Sequence, residues 1–425
     1  MTIQGNQKWA ILLCQFKSTR GAQPLVRKPR QHFVDLFTND RTSSLHNYWS
    51  NVSHGTINLT GSVVYDWKTL PQTQAALRNL VGSGDRLDAV RIAAEFFATN
   101  QGVDFRQFNG ILMVTDLNFD LTGTSGRRWK LNDEERDYRV VICSQNHSQT
   151  LIAHEMGHSF GLDHSVDTSD VSCDPANDGR PGAYCDVYDI MSAGNVLSAG
   201  HAQFGSVGPI LNAVNMSLLG WLNEGRVWDW DNHTSGAEVQ LVPLSKPRLI
   251  GAIAARVGRF VFEYRAVREW DGGIGQDCIL VHSEESGQSV IYEGLNGQKS
   301  LVQGDVFYVK GSANLPSLTG YIRVTVATIN ASAQTATLRV DYKPESRFAG
   351  FAEVGILHWL IEGVLGVGPK GDIVPVPPRP LTRDILVALT IHELAQYIDD
   401  EEERTRLEQT SLEMIIRSAQ KQLRG

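Results

Sequence analysis

Basic charge is scarce in this chain: 39 Lys and Arg face 47 Asp and Glu, for a net charge of −8. That balance leaves no basic footprint for nucleic acid or an anionic membrane surface, and neither is expected as a partner. Long apolar runs are missing as well. Trp9 to Phe16 is too short for a membrane span or a signal-peptide core, and Cys14, Gln15 and Lys17 spoil it further. Phe348 to Val364 is longer, yet Glu353, His358 and Glu362 make it a poor span. Cysteine is sparse, and with five residues at least one thiol is unpaired. No repeat of roughly 20–50 residues is present, which excludes a solenoid or propeller. The remainder, 42% hydrophobic and 20% charged residues over 425 positions, describes a globular chain with room for two domains and an appendage.

The first domain is expected over 1–225. Strand-like runs at Trp9–Phe16, Thr56–Tyr65, Gly110–Leu117 and Tyr138–Ser144 alternate with helical stretches at His32–Phe37 and Asp85–Asn100, which predicts a mixed α/β layout. Tyr138–Cys143 reads as the edge strand lining a cleft, where an extended peptide adds by main-chain hydrogen bonds; an interior strand is the alternative. From 226 to 343 the pattern changes to short runs separated by Gly, Asn and Ser: Val239–Val242, Gly251–Val257, Arg259–Arg265, Cys278–Ser283, Ser289–Glu293, Asp305–Val309, Tyr321–Ile329 and Thr335–Asp341. That is the pattern of a β-sandwich, expected to stabilise its neighbour rather than to dock substrate. Residues 344–425 read as a helical segment interrupted by a stiff Pro-rich linker at 369–380.

The chemistry concentrates in one stretch, His154-Glu155-Met156-Gly157-His158-Ser159-Phe160-Gly161-Leu162-Asp163-His164. Residues four apart share a helix face, so His154 and His158 offer their imidazoles to one metal ion with Glu155 beside it. A catalytic zinc takes three protein ligands and leaves one position open. His164 supplies the third only if the helix stops, and Gly161, which tolerates the left-handed conformation, stops it. Ser148 is a plausible cap for that helix, with Ala153, Met156 and Phe160 on its apolar face. A chance occurrence of the full pattern is on the order of 10^-4 or less, so helix-surface or satisfied core histidines are the weaker explanation.

These residues resemble the metzincins, whose long motif HExxHxxGxxH the chain meets at every fixed position. The resemblance implies a methionine turn beneath the zinc, and Tyr188-Asp189-Ile190-Met191-Ser192 is similar to it, with Met191 as an apolar floor and not a ligand. Met191 stands 27 positions after His164, a longer loop than matrixins keep. Tyr48 to Gly55, Asn212-Ala213, Leu219 to Leu222, Phe262 to Arg265 and Trp270 to Gly273 are similar to the gametolysin-like and immune inhibitor A-like secreted peptidases, and His164 as third ligand favours the gametolysin-like branch. The fold this implies is an α/β metzincin catalytic domain, a mixed twisted sheet plus a zinc-binding helix, followed by the β-sandwich and the helical segment.

The expected function is that of a zinc-dependent endopeptidase acting on protein or peptide substrates, with zinc on His154, His158 and His164 and Glu155 as general base. Astacins and serralysins add a tyrosine two positions after the turn methionine; Ala193 stands there, so no tyrosine is expected at the oxyanion. Two other readings stay open: a catalytically silent zinc protein that binds or adheres through its β-sandwich, and an injected or intracellular effector. The resemblance implies secretion, while the N-terminal segment reads as the first strand of a mature domain without a signal peptide. Cys173 and Cys185 bracket a loop of 11 residues that a disulfide would close, whereas Cys14 and Cys143 read as inert buried thiols. Asp167, Asp170, Asp174, Asn177, Asp178 and Asp186 offer oxygen ligands for calcium, but match no EF-hand register, and a solvated acidic loop is the preferred reading.

Overall fold

The computed structural model describes residues 3–18, 26–40, 43–82, 86–176, 178–192, 194–230, 235–310, 320–344 and 409–410. It divides into two compact units, Met1–Glu345 and Ser346–Gly425. Most of the second unit, including the Pro-rich linker and the expected helical segment around it, lies outside the described residues, as does Ala193. The described part is mixed α/β with more sheet than helix, and no helix in it is long and apolar enough to cross a membrane.

Five strands form the first sheet, in the order Val63–Thr69, Trp9–Gln15, Gly110–Thr115, Glu134–Ser144 and Thr122–Leu131. The first four run parallel and the last antiparallel. Alternation along Trp9–Gln15 divides its side chains between two cores. Trp9, Ile11 and Leu13 face one that includes Phe33, Trp49 and Met156; Ala10, Leu12 and Cys14 face another built on Ala93, Ala94 and Phe97. Small alanines on the helix Asp88–Gln101 let it lie close to the sheet.

One strand departs from the sequence expectation. Tyr138–Cys143 is interior, paired on one side with Gly110–Thr115 and on the other with Thr122–Leu131, so the edge strand is Thr122–Leu131. The reason is a two-residue hairpin turn at Asn132 and Asp133, both at positive φ (50° and 63°). Asn and Asp tolerate that backbone, and a turn with both central residues at positive φ matches the twist of paired strands.

The 226–343 region forms two sheets that share a core. One runs Val227–Asp229, Ala254–Val257, Phe260–Arg265, Cys278–Glu285 and Gln288–Tyr292; the other runs Ala237–Leu241, Thr335–Pro344, Gly320–Asn330 and Val306–Lys310. Phe260, Phe262, Ile279 and Val281 from the first interdigitate with Phe307, Ile322, Val324 and Leu338 from the second. The first sheet gains a sixth strand from the other domain, since Val166–Asp167 pairs parallel to Val290 and Ile291. The large core around the first sheet likewise takes in Val242, Leu244, Ile253, Val261 and Trp270. The two domains therefore share both a sheet and a core.

Gly273 marks how tightly they meet. A Cβ there would lie 2.4 Å from the backbone carbon and oxygen of Ser198, closer than any neighbour can yield cheaply. Gly273→Ala is expected to lower stability by about 1–3 kcal/mol through overpacking. Equilibrium denaturation checks this, and an unchanged midpoint contradicts the close approach.

A candidate metal centre

The helix Gln149–Ser159 carries the first half of the motif. Ser148 caps it, its hydroxyl accepting from the Leu151 amide at 3.4 Å, and Ala153, Met156 and Phe160 are buried beneath. Gly161 has φ of +98° and ends the helix; the Gly161 amide donates to the His158 carbonyl at 2.9 Å and the Leu162 amide to Gly157 at 3.1 Å. The chain then returns, and His164 arrives over the helix face. Nε2 of His158 stands 3.0 Å from Nε2 of His154 and 3.0 Å from Nε2 of His164. Among the described residues these three are the group of His, Cys, Asp or Glu side chains close enough to hold a metal ion.

The opposite ring nitrogens fix the tautomers. Nδ1 of His154 lies 2.8 Å from the Ile190 carbonyl, Nδ1 of His158 lies 2.8 Å from the Leu162 carbonyl, and Nδ1 of His164 lies 3.3 Å from the Asp178 carboxylate. Carbonyls and carboxylates only accept, so each Nδ1 is the donor and carries the proton. Each Nε2 then presents a lone pair, and that of His158 faces each of the other two across 3.0 Å. That arrangement is repulsive unless a cation sits among them, and imidazole nitrogens suit a divalent transition metal. Protonation is resisted as well: burial first, then the neighbouring imidazoles, holds His154 well below its ordinary value and His158 at about 4.

Glu155 is buried against the same helix, and burial, reinforced by Asp120, pushes its carboxyl up to about 8. The edge strand touches it from the side. A Cβ on Gly123 would meet the Glu155 backbone carbonyl at 2.0 Å, so only glycine lets the strand pass this close. Met191 lies under the helix: a Cβ on Gly157 would meet its sulfur at 2.2 Å. The Met191 carbonyl accepts from the Ser165 amide at 3.0 Å, next to His164. The five expected site residues His154, Glu155, His158, His164 and Met191 are thus brought together, with Gly161 making the turn.

A buried polar network fixes the Met191 segment from beneath. Asp189 accepts from the Met191 amide at 2.6 Å and, through its other oxygen, from the Asn212 amide at 2.5 Å and the Asn215 side chain at 3.2 Å. Glu263 accepts from the Ala213 amide at 2.5 Å, Arg265 bridges Glu263 and Asp271, and its guanidinium also donates to the Tyr188 carbonyl at 3.1 Å. His282 pairs with Asp186 at 3.0 Å. The β-sandwich also grips the third-histidine loop directly. Gln288 donates to the His164 carbonyl at 3.4 Å, and Lys299 binds both the Asp167 carboxylate and the Cys185 carbonyl.

Two residues at the centre escaped the sequence reading. Asp178, one of the oxygen donors the loop offers, lies against His164 and orients its ring, with Arg180 at 2.7 Å holding its carboxyl well below its ordinary range. Other acids considered for calcium are likewise engaged, Asp167 by Lys299 and Asp186 by His282. Tyr184 carries no signal in the sequence. Its hydroxyl lies 3.1 Å from Nε2 of His164, and its ring centroid is 4.2 Å from that imidazole. Cys173 and Cys185 form a disulfide that closes this loop, while Cys14, Cys143 and Cys278 are buried thiols. Burial pushes the Cys14 and Cys143 thiols far up, which keeps them unreactive.

No known protein-family model matches the sequence, and no curated protein is similar enough to count as a relative.

Asp178→Ala is expected to weaken divalent-metal affinity about 10–100-fold, the usual cost of losing a partner behind a ligating histidine. Competition against a chromophoric chelator measures it, and parent-like affinity contradicts the role. His282 provides a pH marker for the network. Burial lowers it, but Asp186 and Glu263 outweigh that, and its pKa is raised above 6.5. The stability it adds is full below about 6.5 and is lost as pH rises through the higher folded value. NMR titration of the ring is expected to place its midpoint above 6.5; a lower midpoint means the pair with Asp186 is not an ion pair.

Proposed function

We propose that this chain is a zinc-dependent endopeptidase of the metzincin type, cutting extended protein or peptide substrates. The observation that carries the reading is the convergence of three Nε2 lone pairs, that of His158 standing 3.0 Å from each of the other two, with Glu155 on the same helix between His154 and His158. Three imidazoles, with no fourth His, Cys, Asp or Glu side chain in the group among the described residues, support a catalytic zinc site, which keeps a position open, rather than a closed structural one. Zinc bound there supplies a Lewis acid and lowers the pKa of water toward about 7.

The chain's own residues do the rest. Glu155 takes the proton of the attacking water and passes it to the leaving amine, so its side chain must exchange a proton near neutrality. Burial raises that carboxyl's pKa, and a cation held by the three histidines would draw it back toward the ionised form that accepts the proton. Met191 and the Ile190 carbonyl hold the floor and the ring of His154, which keeps the imidazoles from turning. Thr122–Leu131 pairs on one side with Glu134–Ser144, and its other side supports addition of an extended peptide as a further strand. Gly123 sets that strand against Glu155, so a peptide bound there passes the carboxyl.

The intact Glu155 and the buried network weigh against a silent binding module. The sandwich uses Gln288, Lys299 and the Val290–Ile291 pairing to hold the third-histidine loop, which supports a structural role for it. Glu155→Gln is expected to retain zinc and lose peptide hydrolysis by about 10²–10⁴-fold. Zinc analysis and a fluorogenic peptide assay on the purified variant check this; a parent-like rate removes Glu155 from the reaction.

A further inference from the structure

Tyr184 belongs to no part of the mechanism above, yet it reaches the centre of it. Its hydroxyl stands 3.1 Å from the same His164 nitrogen that faces the other two histidines. Among the described residues that nitrogen is its hydrogen-bonding neighbour, and no carbonyl or carboxylate occupies it. The residue is 7% exposed, so it is placed by its surroundings and does not swing freely in solvent.

The backbone beneath it is unusual. Tyr184 has φ of +61°, a left-handed conformation that a bulky aromatic residue seldom takes. Such strain persists only where neighbours over-determine it, and here they do. The Asn195 side chain donates to the Tyr184 carbonyl at 2.9 Å, Lys299 donates to the Cys185 carbonyl at 3.3 Å, and Ala183 forms a bridge to Val166. The Cys173–Cys185 disulfide closes the loop at the next residue. A tyrosine serving only as packing would need none of these ties to aim its hydroxyl.

We infer that Tyr184 is a further catalytic residue, its hydroxyl donating to the carbonyl oxygen of the peptide bond under attack, and that the Cys173–Cys185 loop carries it there. The inference rests on the peptidase reading. When water adds to the carbonyl carbon, the π pair moves onto oxygen, and a hydrogen bond from the hydroxyl strengthens as that charge develops. No proton leaves Tyr184. The pair returns to carbon as the C–N bond breaks, and Glu155 delivers the proton to nitrogen. The position differs from that of the turn tyrosine considered above: Tyr184 precedes Met191 by seven residues and lies inside the disulfide loop.

The test uses the full zinc-loaded chain and Tyr184→Phe. A parent chain with no chelator-sensitive hydrolysis overturns the peptidase reading and this inference together. Given an active parent, Tyr184→Phe is expected to keep its zinc and its KM while kcat falls about 10²–10³-fold, the scale for one oxyanion donor. A binding readout separates chemistry from structure. Affinity for a phosphinic peptide, which carries the tetrahedral oxyanion, is expected to fall by a similar factor, while affinity for the cleaved product peptide stays within about twofold. Parent-like kcat and phosphinic affinity overturn the assignment. With zinc saturating, so that any loosening of the Asp178–His164 contact in the same loop is compensated, Cys173→Ser with Cys185→Ser is expected to lower kcat and to add little on top of Tyr184→Phe, because both then act on kcat through the same hydroxyl. Losses that multiply instead overturn the loop's part in carrying the tyrosine.

Discussion

Three imidazole lone pairs aimed at one point are the constraint on which the rest of this structure depends. Left alone, they repel, and nothing in an apolar core would hold them 3.0 Å apart. The protein holds them from behind: two carbonyls and a carboxylate accept the Nδ1 protons, and each acceptor comes from a different turn of the chain. Ile190 belongs to the methionine segment, Leu162 to the turn after Gly161, and Asp178 to the disulfide loop. The fold itself thus fixes the geometry, and a cation among the three nitrogens would offset their repulsion.

Support of that kind explains why the β-sandwich is not a separable appendage. It contributes a strand pairing to Val166, a side chain to the His164 carbonyl and a lysine to the disulfide loop. It also contributes Glu263, Arg265, Asp271 and His282 to the buried network under Met191. Buried charges of this kind are expensive unless each is paired. Here Arg265 lies between two carboxylates and His282 lies against Asp186, so the cost is offset by partners from both domains.

Much of this was legible in the sequence, for reasons that differ from residue to residue. The meeting of the three histidines was legible because helix periodicity and one glycine dictate where His154, His158 and His164 come together. The sandwich strands were legible because alternation and turn residues mark them: the run Arg259–Arg265 corresponds to Phe260–Arg265, and Cys278–Ser283 to Cys278–Glu285. The edge strand Thr122–Leu131 was not, since Gly123, Ser125, Gly126, Arg127 and Arg128 carry no apolar alternation. Its signal was the Asn132-Asp133 turn. Asp178 and Tyr184 were hidden because their role depends on a loop brought back over His164 by a disulfide, which no local pattern encodes. The segments around Asn212, Glu263 and Trp270 stood out only by resemblance, and their physical reason is the network they build together beneath Met191.

The central claim is that the three histidines hold a zinc ion that the chain uses to cut peptides. The most direct measurement is the metal content of the purified chain together with its cleavage of an unfolded protein before chelation, after chelation and after zinc is returned. The account predicts about one zinc per chain, cleavage abolished by the chelator and restored by zinc. A chain that binds no zinc, or cleavage that the chelator leaves untouched, would contradict it.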